Sequence, residues 1–370
     1  FDIMSVLRRV RVYEDDVTTS LLPLHHTYQA MAGFLAFFYS GACIAFNESL
    51  RHLQDDMLLF RPTIFIAVPL LLESFLNGVK KKYSKVFGGK ALYNTQMTLS
   101  GIFRKRSPGV SKAIFSSVNK AFGGRMRAIL CGAAAISPEI FKEYESFGFR
   151  VYVGYGLTET SPVCIMHDDF YNSPYDTGYP ILGLKVKLED VNEDGIGELC
   201  VKGANVMLGY YNNPEQTAAV LKDGWFYTGD LARMNKNGSY TITGRLKSMI
   251  VARTGKKIFP EELEYYLEQS SFVKESLVYG LETDDDVQVA ACIFPDYDEI
   301  DRELGKNKPD DGSTEYYEAV KSLITGVVHE VNRKVPHFKC IQKITIRKTE
   351  FEKTTTRKIK RKSEVNYKEE

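Results

Sequence analysis

The segment Gly154-Tyr155-Gly156-Leu157-Thr158-Glu159-Thr160 gathers a flat ring, a hydroxyl and a carboxylate between small residues. Tyr155 offers a face for a base, Thr158 can donate to a phosphate oxygen, and Glu159 can hold a hard divalent cation. Gly154 and Gly156 allow close approach of backbone. The segment follows the apolar run Val151–Val153, so it falls at the carboxyl end of a strand, where open α/β sheets bind ligands. The same residues also describe a glycine-rich turn capped by Thr158, with Glu159 in a first helical turn. What decides between the two is company elsewhere in the chain: Trp225-Phe226-Tyr227-Thr228-Gly229-Asp230, then Gly244-Arg245-Leu246-Lys247, then Thr356-Arg357-Lys358-Ile359-Lys360.

The elements that must position these residues alternate. Thr63–Val68, Ala128–Leu130 and Val151–Val153 are short β-branched runs, and Leu70–Lys82 and Pro138–Ser146 are rich in helix formers. Such alternation predicts βα units around a largely parallel sheet. From about Gly178 the pattern becomes short strands broken by glycine and Asn212-Asn213-Pro214, a small β subdomain. Gly238–Val251 suggests two strands around Gly244, and Pro260 opens a helix over Glu261–Gln269. A second α/β unit continues through strands Glu275–Tyr279, Val287–Phe294 and Lys343–Ile346 and the helix Glu315–Arg333. The stretch Asp296–Ser313, poor in apolar residues, is expected to be a solvated excursion.

Composition sets the outer bounds. A chain of 370 residues with 44% hydrophobic side chains can bury a full core, and its length suggests more than one domain. Lys plus Arg number 48 and Asp plus Glu 47, a net charge of +1, so no global field recruits nucleic acid or membrane. Six cysteines without a CxxC pair argue against a zinc cluster and a disulfide framework, and fit a reducing, cytoplasmic setting. The apolar run Phe34–Phe46 is too short for a membrane span and is expected to form a buried helix and strand. A soluble protein is expected. The cluster Lys80-Lys81-Lys82 leaves room for peripheral contact with anionic lipid without predicting it.

In their order, the four segments resemble the core motifs of the adenylate-forming superfamily: acyl-CoA synthetases, aryl-CoA ligases, luciferase and adenylation domains of peptide synthetases. The stretch from Asp223-Gly224-Trp225 to Gly244-Arg245 resembles the fatty-acyl-CoA synthetase signature in particular. The resemblance implies an α/β fold with residues 1–246 as the carboxyl-terminal portion of a large adenylation domain of parallel βα units plus a small β subdomain. Residues 247–370 would form a smaller α/β lid domain, with Lys247 as the hinge.

It further implies that Tyr155 stacks on adenine, Thr158 contacts phosphate, Glu159 binds Mg2+, Asp230 accepts from the ribose hydroxyls and Arg245 reaches the ribose or phosphates. Lys358 would be the lid lysine that stabilises charge on the acyl carboxylate and α-phosphate, although Arg357 stands where the family usually has glycine. Gly132, Ala133 and Ala134, with Gly156, would line the nucleotide pocket. His26, in Pro23-Leu24-His25-His26, would stand with Gly154 beside the acyl chain, and Gly255 would face the pantetheine tunnel of coenzyme A. Read from the residues alone, Asp230 also fits a turn carboxylate bonding its own backbone, Arg245 a surface strand arginine, His26 a core histidine, Gly132–Ala134 helix–strand packing, Gly255 a hairpin glycine and Lys358 a basic tail.

The implied reaction joins a medium- to long-chain fatty acid to CoA through an acyl-adenylate, with ATP and Mg2+. The implied partners are the small-molecule substrates, with no nucleic acid. An adenylation domain loading a carrier-protein thiol is the alternative enzyme. The family's phosphate-gripping loop, rich in Ser, Thr and Gly, has no counterpart in the sequence, and the expectation is that an N-terminal portion is missing. A non-catalytic nucleotide- or acyl-binding module is therefore the alternative for this chain by itself.

Overall fold

The computed structural model describes residues 1–47, 52–104, 107–252, 256–283, 287–305, 308–353, 359–361 and 363–367. By proximity the chain divides into Phe1–Thr228 with Ala232–Ile242, and Gly229–Leu231 with Thr243–Glu370.

The first unit is built on seven strands: β1 (Val17–Ser20), β2 (Cys43–Phe46), β3 (Ile64–Ala67), β4 (Ala128–Cys131), β5 (Arg150–Gly156), β6 (Val163–Met166) and β7 (Tyr179–Pro180). Their order is β2-β1-β3-β4-β5-β6-β7. The first five pair in parallel, and β6 and β7 close the edge antiparallel. β3 and β4 are buried at every position, the continuous apolar character required when a sheet is covered on both faces. Alternation then sorts their side chains: Ile64, Ile66, Ala128 and Leu130 enter one core, Phe65, Ala67, Ile129 and Cys131 the other. In the second core lie Leu72 and Leu76, from the helix Pro69–Ser84, and Phe141 and Tyr144, from Pro138–Ser146. Each helix carries proline in its first turn, where no amide partner is lost, and Ser137 Oγ accepts from Ile140 N at 3.2 Å to cap the latter.

Two details depart from the sequence reading. The run Phe34–Phe46 does form a helix (Ala36–Tyr39, entered through a π-helical turn at Gln29–Leu35) and β2, but it is buried on one face only. Phe37 and Ala45 enter the core while Phe38, Tyr39 and Phe46 stay exposed. β5 also runs past Val153 through Gly156, so the first half of Gly154–Thr160, the signature segment of this unit, is strand rather than turn.

A second sheet holds β8 (Lys185–Glu189), β9 (Ile196–Lys202), β10 (Leu221–Lys222) and β11 (Trp225–Met234) in the order β10-β11-β9-β8, with β12 (Tyr240–Arg245) on β11. Asp223 (φ 53°) and Gly224 (φ 75°) make the tight turn from β10 to β11, both in the left-handed region that such hairpins need. Gly244 lies inside β12, and the break expected there falls instead at the turn Leu246–Ser248.

In the second unit β13 (Ile250–Val251) and β14 (Lys257–Ile258) form a hairpin. β15 (Val273–Glu282) pairs antiparallel with β16 (Val287–Pro295), which pairs in parallel with β17 (Lys343–Ile346). The helices Pro260–Leu267 and Thr314–Lys334 pack on this sheet's core through Leu263, Leu267, Ile324 and Val328. Asp296–Ser313 is not simply a solvated excursion. Asp296 caps a helix, Tyr297–Leu304, whose Tyr297, Ile300 and Leu304 share one face and join the core. One well-spaced apolar stripe is enough to dock a short helix, whatever the average composition.

Candidate functional site

Because β1, β4 and β5 are parallel, the loops that follow them emerge along one edge of the sheet, and the candidates of the first unit collect there. After β1 the chain turns at Pro23–His26 and enters the π-helical turn; after β4 come Gly132–Ala134; β5 itself carries Gly154–Gly156. Ala133 has φ 70° and Ser161 φ 64°, costly conformations for residues with a β-carbon, and both are on this edge.

The two signature glycines differ. A β-carbon on Gly156 would stand 1.6 Å from the carbonyl oxygen of Pro162, so glycine is required by the chain's own backbone. On Gly154 the nearest atom would be Met166 Cβ at 3.8 Å, an ordinary contact. The close approach that Gly156 permits is thus to the chain entering β6. Gly132 meets a third situation. Its missing side chain makes room for the ring of Tyr28, whose Cζ would stand 3.0 Å from a β-carbon there, and the Tyr28 hydroxyl donates to Leu130 O at 2.9 Å. Burial raises the pKa of Tyr28 well above the usual range, so its proton stays on.

Beyond Gly156 the chain makes one short turn, Thr158–Thr160, instead of a full helix. Thr160 Oγ1 accepts from Leu157 N at 3.1 Å and donates toward Pro162 O at 2.9 Å, which locks the turn from inside. Thr158 is exposed at its outer side, and among the described residues its hydroxyl has no hydrogen bond. Glu159 is half-buried. One carboxylate oxygen, Oε1, accepts from the Tyr210 hydroxyl at 2.9 Å, and its carbonyl accepts from Met207 N at 2.8 Å. Burial, then the hydrogen bond to Glu159, pushes the Tyr210 pKa up, so the phenol is the donor at neutral pH.

His26 is half-buried, its ring tilted against His25 with centroids 4.2 Å apart. Burial, then the neighbouring His25, pulls its pKa down and favours the neutral ring. Its Nε2 has no hydrogen-bond partner among the described residues.

The second-unit candidates behave differently. Asp230 on β11 is 3% exposed and pairs with Arg245 Nε at 2.8 Å, so the two residues expected to meet the nucleotide's ribose side hold each other. Lys247 follows at once, exposed in the turn Leu246–Ser248. Gly255 and Lys358 lie outside the described residues.

Four residues of this edge carry no signal in the sequence: Tyr28, Ser161, Asn205 and Tyr210. The run Gly209-Tyr210-Tyr211-Asn212-Asn213-Pro214 reads only as strand-breaking turns, and nothing local indicates that Tyr210 reaches Glu159, 51 positions away.

Comparisons with known proteins identify the family. A family model described as AMP-binding enzyme matches residues 2–211, and one described as AMP-binding enzyme C-terminal domain matches residues 247–370. Similar curated proteins include long-chain-fatty-acid–CoA ligase 5 of Mus musculus, 34% identical over 280 residues that cover 72% of this chain and 41% of that protein. Long chain acyl-CoA synthetase 1 of Arabidopsis thaliana is 30% identical over 366 residues, 92% of this chain and 55% of that protein. The chain thus spans about half the length of the curated relatives it matches. Among solved structures, o-succinylbenzoate CoA synthetase from Bacillus subtilis in complex with the acyl-adenylate intermediate has a TM-score of 0.71 at 20% identity, covering 97% of this chain and 62% of that one. ATP-bound MatB from Rhodopseudomonas palustris has a TM-score of 0.68 at 22% identity, covering 96% and 60%. At these identities the likeness is one of fold.

Proposed function

The chain belongs to the AMP-binding enzyme family, and from that premise we propose that it is part of an ATP-dependent ligase joining a medium- to long-chain fatty acid to coenzyme A. The acid's carboxylate attacks the α-phosphorus of ATP and pyrophosphate leaves. The thiol of CoA then attacks the acyl carbon and AMP leaves. The observation that carries the reading is the signature turn itself: an aromatic ring, an exposed hydroxyl and a carboxylate with only one oxygen tied to Tyr210, all at the carboxyl edge of a mostly parallel sheet. The names of the similar curated proteins support the fatty-acid half.

In this reading Tyr155 stacks on adenine, Thr158 donates to a phosphate oxygen, and Ala133, Ala134 and Gly154 leave room for nucleotide and acyl chain, while Gly132 seats the Tyr28 ring behind them. Asp230 accepts from the ribose hydroxyls, so ligand must share or displace its contact with Arg245. Lys358 supplies positive charge to the first step; Gly255 leaves passage for pantetheine in the second, after rotation about Lys247. The single carboxylate of Glu159 fits Mg2+, which usually takes one or two carboxylates and completes its shell with water and phosphate oxygens. Bound there, the ion would neutralise phosphate charge.

The full-length protein should release pyrophosphate from ATP only with a fatty acid present, and form AMP and acyl-CoA when CoA is added. Turnover of aromatic acids but not of fatty acids, or exclusive use of a carrier-protein thiol, would overturn the substrate assignment. Lys358→Ala should cut adenylate formation by ~100- to 1000-fold, the usual cost of one preorganised charge-stabilising group, and spare CoA attack on supplied acyl-adenylate. Gly255→Leu should do the reverse.

A further inference from the structure

A strap from the β subdomain holds the signature turn by its backbone and by its carboxylate. Leaving β9, residues 203–210 cross back to the tip of β5. Asn205, 3% exposed, donates from Nδ2 to Thr160 O at 3.0 Å and to Val163 O at 2.9 Å, and its backbone carbonyl accepts from Ser161 Oγ at 2.9 Å. Two residues on, Met207 N donates to Glu159 O at 2.8 Å. The strap ends at Tyr210, whose hydroxyl donates to Glu159 Oε1 at 2.9 Å. Tyr210 is itself fixed: its amide donates to Thr217 Oγ1 at 2.9 Å, and that hydroxyl donates to Asn213 O at 2.8 Å in the first turn of the helix Pro214–Val220. Gly209 permits this, since with φ 155° it brings its backbone past Thr217, and a β-carbon there would come within 2.8 Å of Thr217 Cγ2.

A half-buried carboxylate on a short turn would otherwise sample several rotamers. With Oε1 engaged, the Glu159 carboxylate is tethered on one side, and its second oxygen, Oε2, is the one left to meet a ligand. We infer that Tyr210 is a positioning residue that orients the Glu159 carboxylate for a divalent cation bound with the nucleotide phosphates, with the Asn205–Met207 strap fixing the turn beneath it. The inference rests on the assignment of Glu159 as cation ligand, and it adds a partner that the signature segment itself does not contain. Residues that hydrogen-bond a metal ligand typically change metal affinity by ~10- to 100-fold when removed.

The test uses the full-length protein with ATP, comparing wild type, Tyr210→Phe and Glu159→Gln. Mn2+ bound in the presence of ATP is counted by electron paramagnetic resonance, and AMP affinity and thermal midpoint are measured without metal. Tyr210→Phe should weaken Mn2+ binding by ~10-fold or more while AMP affinity and the midpoint stay near wild type. Wild-type Mn2+ affinity in Tyr210→Phe overturns the positioning role, as does tighter binding, which would make the phenol a competitor of the metal. The underlying assignment is judged separately: if Glu159→Gln leaves Mn2+ binding intact, the cation reading of Glu159 fails whatever Tyr210 does. A fall in midpoint and in AMP affinity that parallels the loss of Mn2+ would make Tyr210 a structural residue and also overturns the inference.

Discussion

The two edges of the seven-stranded sheet are built on opposite principles. At the amino ends of the parallel strands, Asp16 before β1 is buried and fully engaged. Arg127, before β4, donates to it from Nε at 3.0 Å and from Nη2 at 2.5 Å; Thr63, before β3, donates at 2.6 Å; Tyr13 N donates at 2.8 Å. One carboxylate thereby ties three strands together. At the carboxyl ends the chain uses glycine, alanine, two non-glycine residues at positive φ, a histidine nitrogen without a partner among the described residues and a carboxylate with an oxygen to spare. The first edge uses its polar groups on itself. The second leaves the His26 nitrogen and one Glu159 oxygen without a partner among the described residues.

The sharpest way to break this contrast is inside the signature segment. Gly156→Ala must push aside the Pro162 carbonyl and should cost about 3 kcal/mol or more, whereas Gly154→Ala should cost less than about 1 kcal/mol, both from urea unfolding. Equal costs would mean that Gly156 is not held by packing. Next in size, Arg127→Met should destabilise by about 2–3 kcal/mol, because it strips a buried carboxylate of its charged partner, less than a fully buried pair since Arg127 is itself partly exposed. The same edge predicts a pH dependence. Burial alone would raise the Asp16 pKa, but Arg127, Thr63 and Tyr13 together outweigh it and lower the value below 3.8. A carboxylate depressed in the fold contributes stability above its unfolded pKa and loses it as pH falls through the folded one. The stability gap between wild type and Asp16→Asn should therefore be constant near neutrality and close below about pH 4; a gap that widens in acid would have the sign wrong. The smallest effect belongs to the other edge: His26→Phe removes an unsatisfied nitrogen and should change stability by less than about 1 kcal/mol. A loss of several kcal/mol would make His26 a core residue after all.

How much of this is legible in sequence follows the same division. β3, β4, the helix Pro138–Ser146 and β17 are readable because β-branched runs, a proline at a helix start and uniform apolar character are local signals. The signature segment is readable as chemistry for the same reason. What escapes depends on distance along the chain. Arg127 meets Asp16 across 111 positions and Tyr210 meets Glu159 across 51, and neither residue type distinguishes itself from a surface residue in its own neighbourhood. The packing requirement at Gly156 escapes the sequence because only the fold reveals that the backbone approaching it is that of Pro162. The helix Tyr297–Leu304 is hidden because average polarity masks a three-residue apolar stripe.

The central claim, that the carboxyl edge of this sheet is a nucleotide site, is most directly tested by calorimetric titration of AMP into the chain itself, its Tyr155→Ala variant and its Arg127→Met variant. Base stacking on an aromatic ring contributes about 1–3 kcal/mol, so Tyr155→Ala should weaken AMP by roughly 5- to 150-fold, while Arg127→Met, at the opposite edge, should leave affinity within about twofold wherever the protein remains folded. AMP binding that survives Tyr155→Ala unchanged, or that falls equally in Arg127→Met, would contradict the account.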